Sequence, residues 1–304
     1  MAVLDTGDLT IPNQYFAPWL KKVQESSVIS QLSGQIPMKF GKGETVIFDS
    51  GEAEYVGEGQ NKSSSDFTST VQTFEPFKFQ KTIRVTNEFE WANEDHQLGV
   101  LQEILDTIQP ALTRALDFGV IHGIDPHEGT RPSAMEGKAL VDATNSVELD
   151  PARQPWEILE AADAPLLEAG QIPSGIAADP RFLKPFRTAR TEEGVRIYPN
   201  VGFSGVTELD GHAVAISRTV SAKNVAKQNN DLAAVVGDFS AVRWGVQKSI
   251  GLEYITYGDP DGNGDLKRNN QVAFRAEVVY GWGIADLGAF TLVKDAAEDA
   301  EGEG

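Results

Sequence analysis

The chain has 304 residues, 40% of them hydrophobic, with 45 acidic residues against 26 Lys and Arg and a formal net charge of -19. Such a balance argues against a broad phosphate-gripping surface, because nucleic-acid binding draws on Lys and Arg, and it repels anionic membranes. Zero Cys excludes disulfides, thiol catalysis and zinc–thiolate sites. No run reaches the roughly 18 apolar residues of a bilayer crossing, and the first residues lack the basic start and apolar stretch of a secretory signal.

Residues 1–40 read as an arm. Phe16, Trp19, Leu20 and Val23 stand at helical spacing behind Pro18, a residue suited to a first turn. The amphipathic helix they predict is marginal alone in water and needs a surface to dock on.

Residues 41–86 read as a long hairpin. The outgoing run is "ETVIFDSGEAEYVGEG", the tip "QNKSSSDFTST", and the return "VQTFEPFKFQKTIRVTNEF". In the return, Phe77, Phe79, Ile83 and Val85 share one face, with Lys81 the exception; Lys78, Gln80, Thr82, Arg84 and Thr86 share the other. Arms of about fifteen residues at roughly 3.3 Å each predict a reach on the order of 50 Å. An isolated two-stranded ribbon is marginal by itself, and its open edges invite a neighbouring chain.

A long helix follows, marked by Leu98, Leu101, Ile104, Leu105, Ile108, Leu112, Leu116 and Val120. Asn93 or Asp95 caps its start, Gly123 ends it, and Pro110 predicts a kink or break. From Arg131 onward short helices alternate with strands: "QPWEILEAADAPLLEAG" begins with Pro155, and "ADPRFLKPFRTAR" with Asp179 as N-cap and Pro180 as first helical residue. "SGIAAD", "HAVAIS" and "LAAVVGD" are short apolar strands of a mixed α+β domain.

Residues 258–270, "GDPDGNGDLKRNN", imitate a calcium loop. Asp259, Asp261 and Asn263 alternate and Gly264 follows, but the twelfth position, which needs a bidentate carboxylate, is Asn270. The flanks are β-rich, so the segment reads as a hairpin tip. Other chemistry is sparse. His122 and His127 are five apart, off the four-residue spacing of a helical zinc pair, and Pro126 and Gly123 make their segment a turn. "GFSGV" around Ser204 lacks the spacing of a nucleophile elbow, and "GWGIAD" lacks the third glycine of a dinucleotide loop. No cofactor is expected. The end "DAAEDAEGEG" reads as a solvated, disordered tail.

Five stretches in one order resemble the major capsid proteins of tailed double-stranded-DNA bacteriophages, with the Hong Kong 97 fold. They are "AEYVGEGQNKSSSDF", "LTRALDFGVIHGIDP", "AADPRFLKPFRTARTEEGVRIYP", "LAAVVGDFSAVRWGVQKSIGLEY" and "NNQVAFRAEVVYGWGIADLGAFTLV", together spanning about Ala53 to Val293. The resemblance implies an α+β chain with an arm (1–40), an extended hairpin (41–86), a peripheral domain with a spine helix (87–130 and 243–280), an axial domain (131–242 and 281–294) and an acidic tail (295–304).

It also implies a non-enzymatic shell subunit that forms pentamers and hexamers around DNA without reading its sequence. Its expected partners are itself, a separate scaffolding protein or prior processing, a portal and decoration proteins. Assembly is expected in the host cytoplasm, and the virion is the destination. Phe16, Trp19, Glu58, Lys62, Phe67, Lys267 and Arg268 are the expected assembly contacts. Asp259, Asp261 and Asp265 would gather at threefold axes, neutralised by Lys267 and Arg268 of a neighbour or by a weakly held cation. An encapsulin-like shell enclosing an enzyme cargo is the alternative of the same fold.

Overall fold

Residues 68–86 form one strand of nineteen residues, and its two halves have different partners. In the computed structural model, which describes residues 27–39, 41–49, 55–56, 58–60, 68–88, 94–150, 152–202, 205–222 and 231–295, strand β1 is Gly43–Asp49 and β2 is Thr68–Thr86. The first half of β2 pairs antiparallel with β1, from Gly43 opposite Phe74 to Asp49 opposite Thr68. The second half, Glu75 to Thr86, pairs instead with β9 (Gln271–Ile284), which pairs in turn with β8 (Val242–Ile255).

Past the last pairing of β2 with β9 the described ribbon is seven residue pairs, about 23 Å at 3.3 Å per residue, and most of the hairpin beyond Asp49 and Thr68 lies outside the described residues. The rest of the return run is the interior of a four-stranded sheet, ordered β1-β2-β9-β8.

Helix α1 is Val28–Leu32 and the long helix α2 is Glu94–Asp117, about 36 Å at 1.5 Å per residue. The expected stripe does the packing: Ile104, Leu105, Ile108, Leu112 and Leu116 are buried in one core with Phe77, Phe79, Tyr280 and Trp282 of the sheet. Contrary to the expected break, α2 runs unbroken through Pro110. Pro110 is exposed while Ile108 and Leu112 beside it are buried. The carbonyl that loses its donor thus lies on the solvent side, and core packing holds the helix together.

A buried π turn, Phe118–His122, follows and ends at Gly123 in the left-handed region, as the sequence predicts. Gly119 lies under Trp282, where an added Cβ would come within 2.5 Å of Cη2. Trp282 cannot yield easily, since it stacks on Phe77 at 3.9 Å and its indole N–H donates to Lys138 O at 3.1 Å. Gly119→Ala is expected to cost about 1–3 kcal/mol by overpacking, read from denaturant midpoints.

The remaining elements are β3 (Asn145–Leu149), α3 (Pro155–Glu168), β4 (Gly175–Ala178), α4 (Leu183–Thr188), β5 (Glu208–Leu209), β6 (His212–Ile216), β7 (Leu232–Gly237) and β10 (Phe290–Asp295). The six strands form a mixed sheet ordered β3-β10-β7-β4-β6-β5. Both faces are covered at β4 and β7, which is why these two read as continuous apolar runs, whereas β3 at the edge alternates. Ala177, Val235 and Leu292 face the core shared with α2, whereas Ile176, Val236 and Val293 face α3 and α4.

Helix α4 starts later than the sequence suggests. The Asp179 carboxylate accepts from the backbone N–H and the Nε of Arg181 and from Ser221 Oγ, so residues 179–182 form a turn before the helix. The amphipathic arm segment around Phe16 and Trp19, the hairpin tip with Lys62 and Phe67, Asn93, and residues 296–304 lie outside the described residues.

Candidate assembly surfaces

The expected contact segments are rooted in three features of the fold: the anchor of the arm, the root of the ribbon, and the tip of the β8–β9 hairpin. At the first, Asp117 ends α2 with 1% of its surface exposed. Its carboxylate accepts from Ser27 Oγ, from the backbone N–H groups of Val28 and Ile29 at 3.3 Å each, and from Thr219 Oγ1 at 2.8 Å. It thus caps α1 from a distant element, where the helix dipole favours an anion. Burial pushes its carboxyl above the usual range, opposed by these four donors.

Beyond α1 the chain crosses the back of the four-stranded sheet. Trp244 Nε1 donates to Ser33 O at 3.1 Å, Ile36 N donates to Trp244 O at 2.9 Å, and Gln35 bridges Trp244 in parallel. Gly245 and Gly281 stand opposite each other in register and form the floor of this crossing. A Cβ on Gly245 would meet Ile36 O at 2.3 Å, and one on Gly281 would meet Met38 Sδ at 2.7 Å. The arm therefore leaves from the edge of β8 and blunts it.

At the root of the ribbon, Glu75 is gripped by Lys138 at 2.6 Å and Lys42 at 2.9 Å. The hydrogen bond from Lys138, then that from Lys42, holds its carboxyl below the ordinary value. Between β2 and the C-terminal half of α2 lies a cleft of about 1210 Å³, with Phe79 and Leu112 in its wall and Lys81 and Arg114 among its lining.

The β8–β9 tip is closed within the chain. Leu266 is fully buried, its N–H donates to Gly258 O at 2.8 Å, and its carbonyl accepts from Gln271 N at 2.9 Å. Arg84, at the far end of β2, reaches over it. The guanidinium donates to Asp261 through Nε at 2.9 Å, to Asp259 Oδ1 at 3.0 Å and to Gly264 O at 2.9 Å. Its hydrogen bond is the main reason the Asp261 carboxyl falls to about 2.

Within one chain, then, Arg84 neutralises Asp259 and Asp261. Asp265 accepts from Arg268 N at 2.9 Å, and the Asp265, Lys267 and Arg268 side chains are exposed. Glu58 is exposed in a turn of the hairpin region.

Arg84→Met is expected to loosen this tip, raising hydrogen exchange at Gly264 and Leu266 about tenfold while leaving α2 unchanged. The contribution of Asp261 is present above its ordinary pKa near 3.8 and is lost as pH falls through about 2, because its folded pKa is the lower one. The acid-induced rise in exchange at the tip should therefore be absent from the Met variant.

Among the described residues no group of three or more His, Cys, Asp or Glu is placed to hold a metal, and no helix is long and apolar enough to cross a membrane. His122 and His127 do not converge. His122 is buried, its ring bonded to Thr219 O at 2.8 Å, and burial lowers it to about 4. His127 is exposed in the turn, where its backbone N–H donates to Asp125.

A family model described as the phage capsid family matches residues 7–295. The chain belongs to that family. Among solved structures this capsid protein is similar to a chain of the structure titled "Mycobacterium phage Ogopogo", at 40% identity over 89% of this chain and 92% of that one, with a TM-score of 0.76. It is also similar to a chain of the structure titled "Gordonia phage Cozz", at 31% identity over 90% and 87%, again with a TM-score of 0.76. A structure titled "Capsid of empty GTA particle computed with C5 symmetry" shares the fold at 14% identity, a TM-score of 0.59, and 90% coverage of both chains. No curated protein matches.

The Hong Kong 97 fold that the sequence resembles is thus the fold of this major capsid protein, and its role in the virion is structural rather than catalytic. Arg84, Asp117 and the facing Gly245 and Gly281 carry much of the geometry above, and none of them stood out in the sequence. Only Asp117 gives a local hint, as a lone carboxylate between Leu116 and Phe118.

Proposed function

We propose that this capsid protein forms the pentamers and hexamers of an icosahedral head that encloses double-stranded DNA. The observation that carries the reading is the β1–β2 ribbon. Seven residue pairs extend past the last pairing of β2 with β9, and a two-stranded ribbon of that length is not stable alone. Laid across an adjoining copy, the ribbon gains the burial it lacks, at about 25 cal/mol per Å² of apolar area. Repetition around a closed shell multiplies modest contacts into a durable container.

In this reading Phe16 and Trp19 of the arm and Glu58, Lys62 and Phe67 of the hairpin meet neighbouring copies. Asp259, Asp261, Asp265, Lys267 and Arg268 gather near threefold axes. Any cation held there competes with Arg84 for Asp259 and Asp261, which makes it weak. A separate scaffolding protein and a portal complete the head, with decoration proteins on the outside, and assembly takes place in the host cytoplasm. A net charge of -19 lets packaged DNA slide rather than adhere. The relatives above are phage or GTA-particle proteins, and nothing among them favours the encapsulin-like alternative.

Electron microscopy of the expressed protein, alone and with its scaffold, tests this directly. Closed shells built of pentamers and hexamers are expected. A protein that stays monomeric in both preparations and in every salt would overturn it.

A further inference from the structure

In a chain of net charge -19, two arginines are held side by side just beyond α4. Residues 189–197 form a small hairpin. Ile197 N donates to Ala189 O at 3.2 Å and Thr191 N to Val195 O at 2.8 Å, and Gly194, in the left-handed region, turns the chain. These bonds flank Arg190 and Arg196, which stand directly opposite each other as a pair without mutual hydrogen bonds. In such a pair the two side chains share one face and approach closely, so like charges repel. Both arginines are exposed. Arg190 Nη1 donates to Gly194 O at 3.4 Å, and neither guanidinium has an ion pair among the described residues, Glu192 and Glu193 of the turn included.

A complementary surface lies on α3. Its exposed face runs through Glu157, Glu160, Ala164, Leu167 and Glu168, spaced by three and four residues along one side. Ile158, Leu159, Ala162 and Leu166 on the other side are buried. The helix has no Lys or Arg, and Glu168 closes its last turn. That is the negative end of the helix dipole, where a carboxylate is unfavourable and a cation is attracted. Neither Glu160 nor Glu168 has an ion pair among the described residues. Leu167, 58% exposed, adds apolar surface to the same face.

The charge of the whole chain says which partner fits. Copies carrying 45 acidic against 26 basic residues repel one another, so their association needs places where cations of one meet acids of the next. The arginine pair and the α3 face are such places. No ion pair joins them within one chain, although α3 and α4 cover the same side of the six-stranded sheet.

We infer that the Arg190–Arg196 pair of one copy docks on the α3 face of the next, against Glu160 and Glu168. The two surfaces differ, so the contact is head-to-tail. Each copy uses its hairpin toward one neighbour and its helix toward the other, and contacts of this kind can close into rings. The contact deepens the reading of pentamers and hexamers above, on which it rests.

Charge reversal tests it. Arg190→Glu with Arg196→Glu, and separately Glu160→Lys with Glu168→Lys, should each lower the yield of closed particles about tenfold. All four substitutions together should restore the yield to within about threefold. Denaturant midpoints of the subunits should not move, since all four side chains are exposed. Arg196→Lys keeps the charge and supplies an amine for carbodiimide coupling. In particles grown from an equal mixture of isotopically heavy and light chains of this variant, the new amine should link to Glu160 or Glu168, with about half of the links heavy to light. Particles of ordinary yield from either reversed pair overturn this contact and leave the shell standing. So do a failure of the four substitutions to rescue, links confined to single chains, and particles without such links. An unsubstituted chain that forms no particles removes the shell, and this contact with it.

Discussion

Asp117→Ala is expected to cost about 3–5 kcal/mol and to detach the arm from the body of the capsid protein. The carboxylate is the shared acceptor for Ser27, Val28, Ile29 and Thr219, three of them at the start of α1. Alanine leaves two backbone N–H groups and the Ser27 hydroxyl without their acceptor, while Thr219 Oγ1 keeps Ser217 Oγ at 2.8 Å, and each buried orphan costs about 1–3 kcal/mol before relaxation. Relaxation is available along one route, the unwinding of α1, because its five residues have little stability of their own.

The variant should therefore show a lowered denaturant midpoint together with new protease cleavage between residues 27 and 41. Asp117→Asn, which keeps one acceptor oxygen, should lose about half as much. The folded-state carboxyl is raised above its ordinary value, so the ionised form is the disfavoured one, and stability at this site declines as pH rises through that raised value. The Asn variant removes that decline. A loss below about 1 kcal/mol in Asp117→Ala, with no new cleavage in the arm, would show that the anchor lies elsewhere.

Shortening the hairpin is expected to have the larger effect on assembly and almost none on folding. Asp49 and Thr68 are directly opposed, so an Asn-Gly turn replacing residues 50–67 closes the ribbon without disturbing its register. The subunit should keep its unfolding free energy within about 0.5 kcal/mol, since the pairing of β1 with β2 and of β2 with β9 is left intact. Closed particles should fall at least a hundredfold by sedimentation, leaving free subunits or capsomers. Shells of ordinary yield from the shortened chain would refute a role for the hairpin between copies.

Much of this architecture was legible in the sequence because single elements carry their own periodicity. The stripe from Ile104 to Leu116, the alternation of Phe77 and Phe79 against Lys78 and Gln80, and the apolar run of β7 each announce an element and its buried face. Pairings between distant segments leave no such mark. Nothing local says that β2 changes partner at Glu75, from β1 to β9.

Arg84 looked like any cation on a polar strand face. Only the register that sets it opposite Ala273 brings it to the β8–β9 tip. Pro110 does not break the helix, because the packing of neighbouring turns on the sheet overrides local propensity. The tip reads as a turn in the sequence, whereas the pairing of Asp259 and Asp261 with Arg84 of the same chain has no local mark. At the arm, the need for a docking surface was legible and its glycine floor was not, because Gly245 and Gly281 meet only across the β8–β9 pair.

Hydrogen exchange on β1 and on residues 68–74, compared between free subunits and purified particles, most directly probes whether the ribbon becomes ordered between copies. The account predicts fast exchange in the free subunit and at least a hundredfold slowing in particles, with little change at residues 75–86, which β9 already pairs. Equal protection of the ribbon in both states would contradict it.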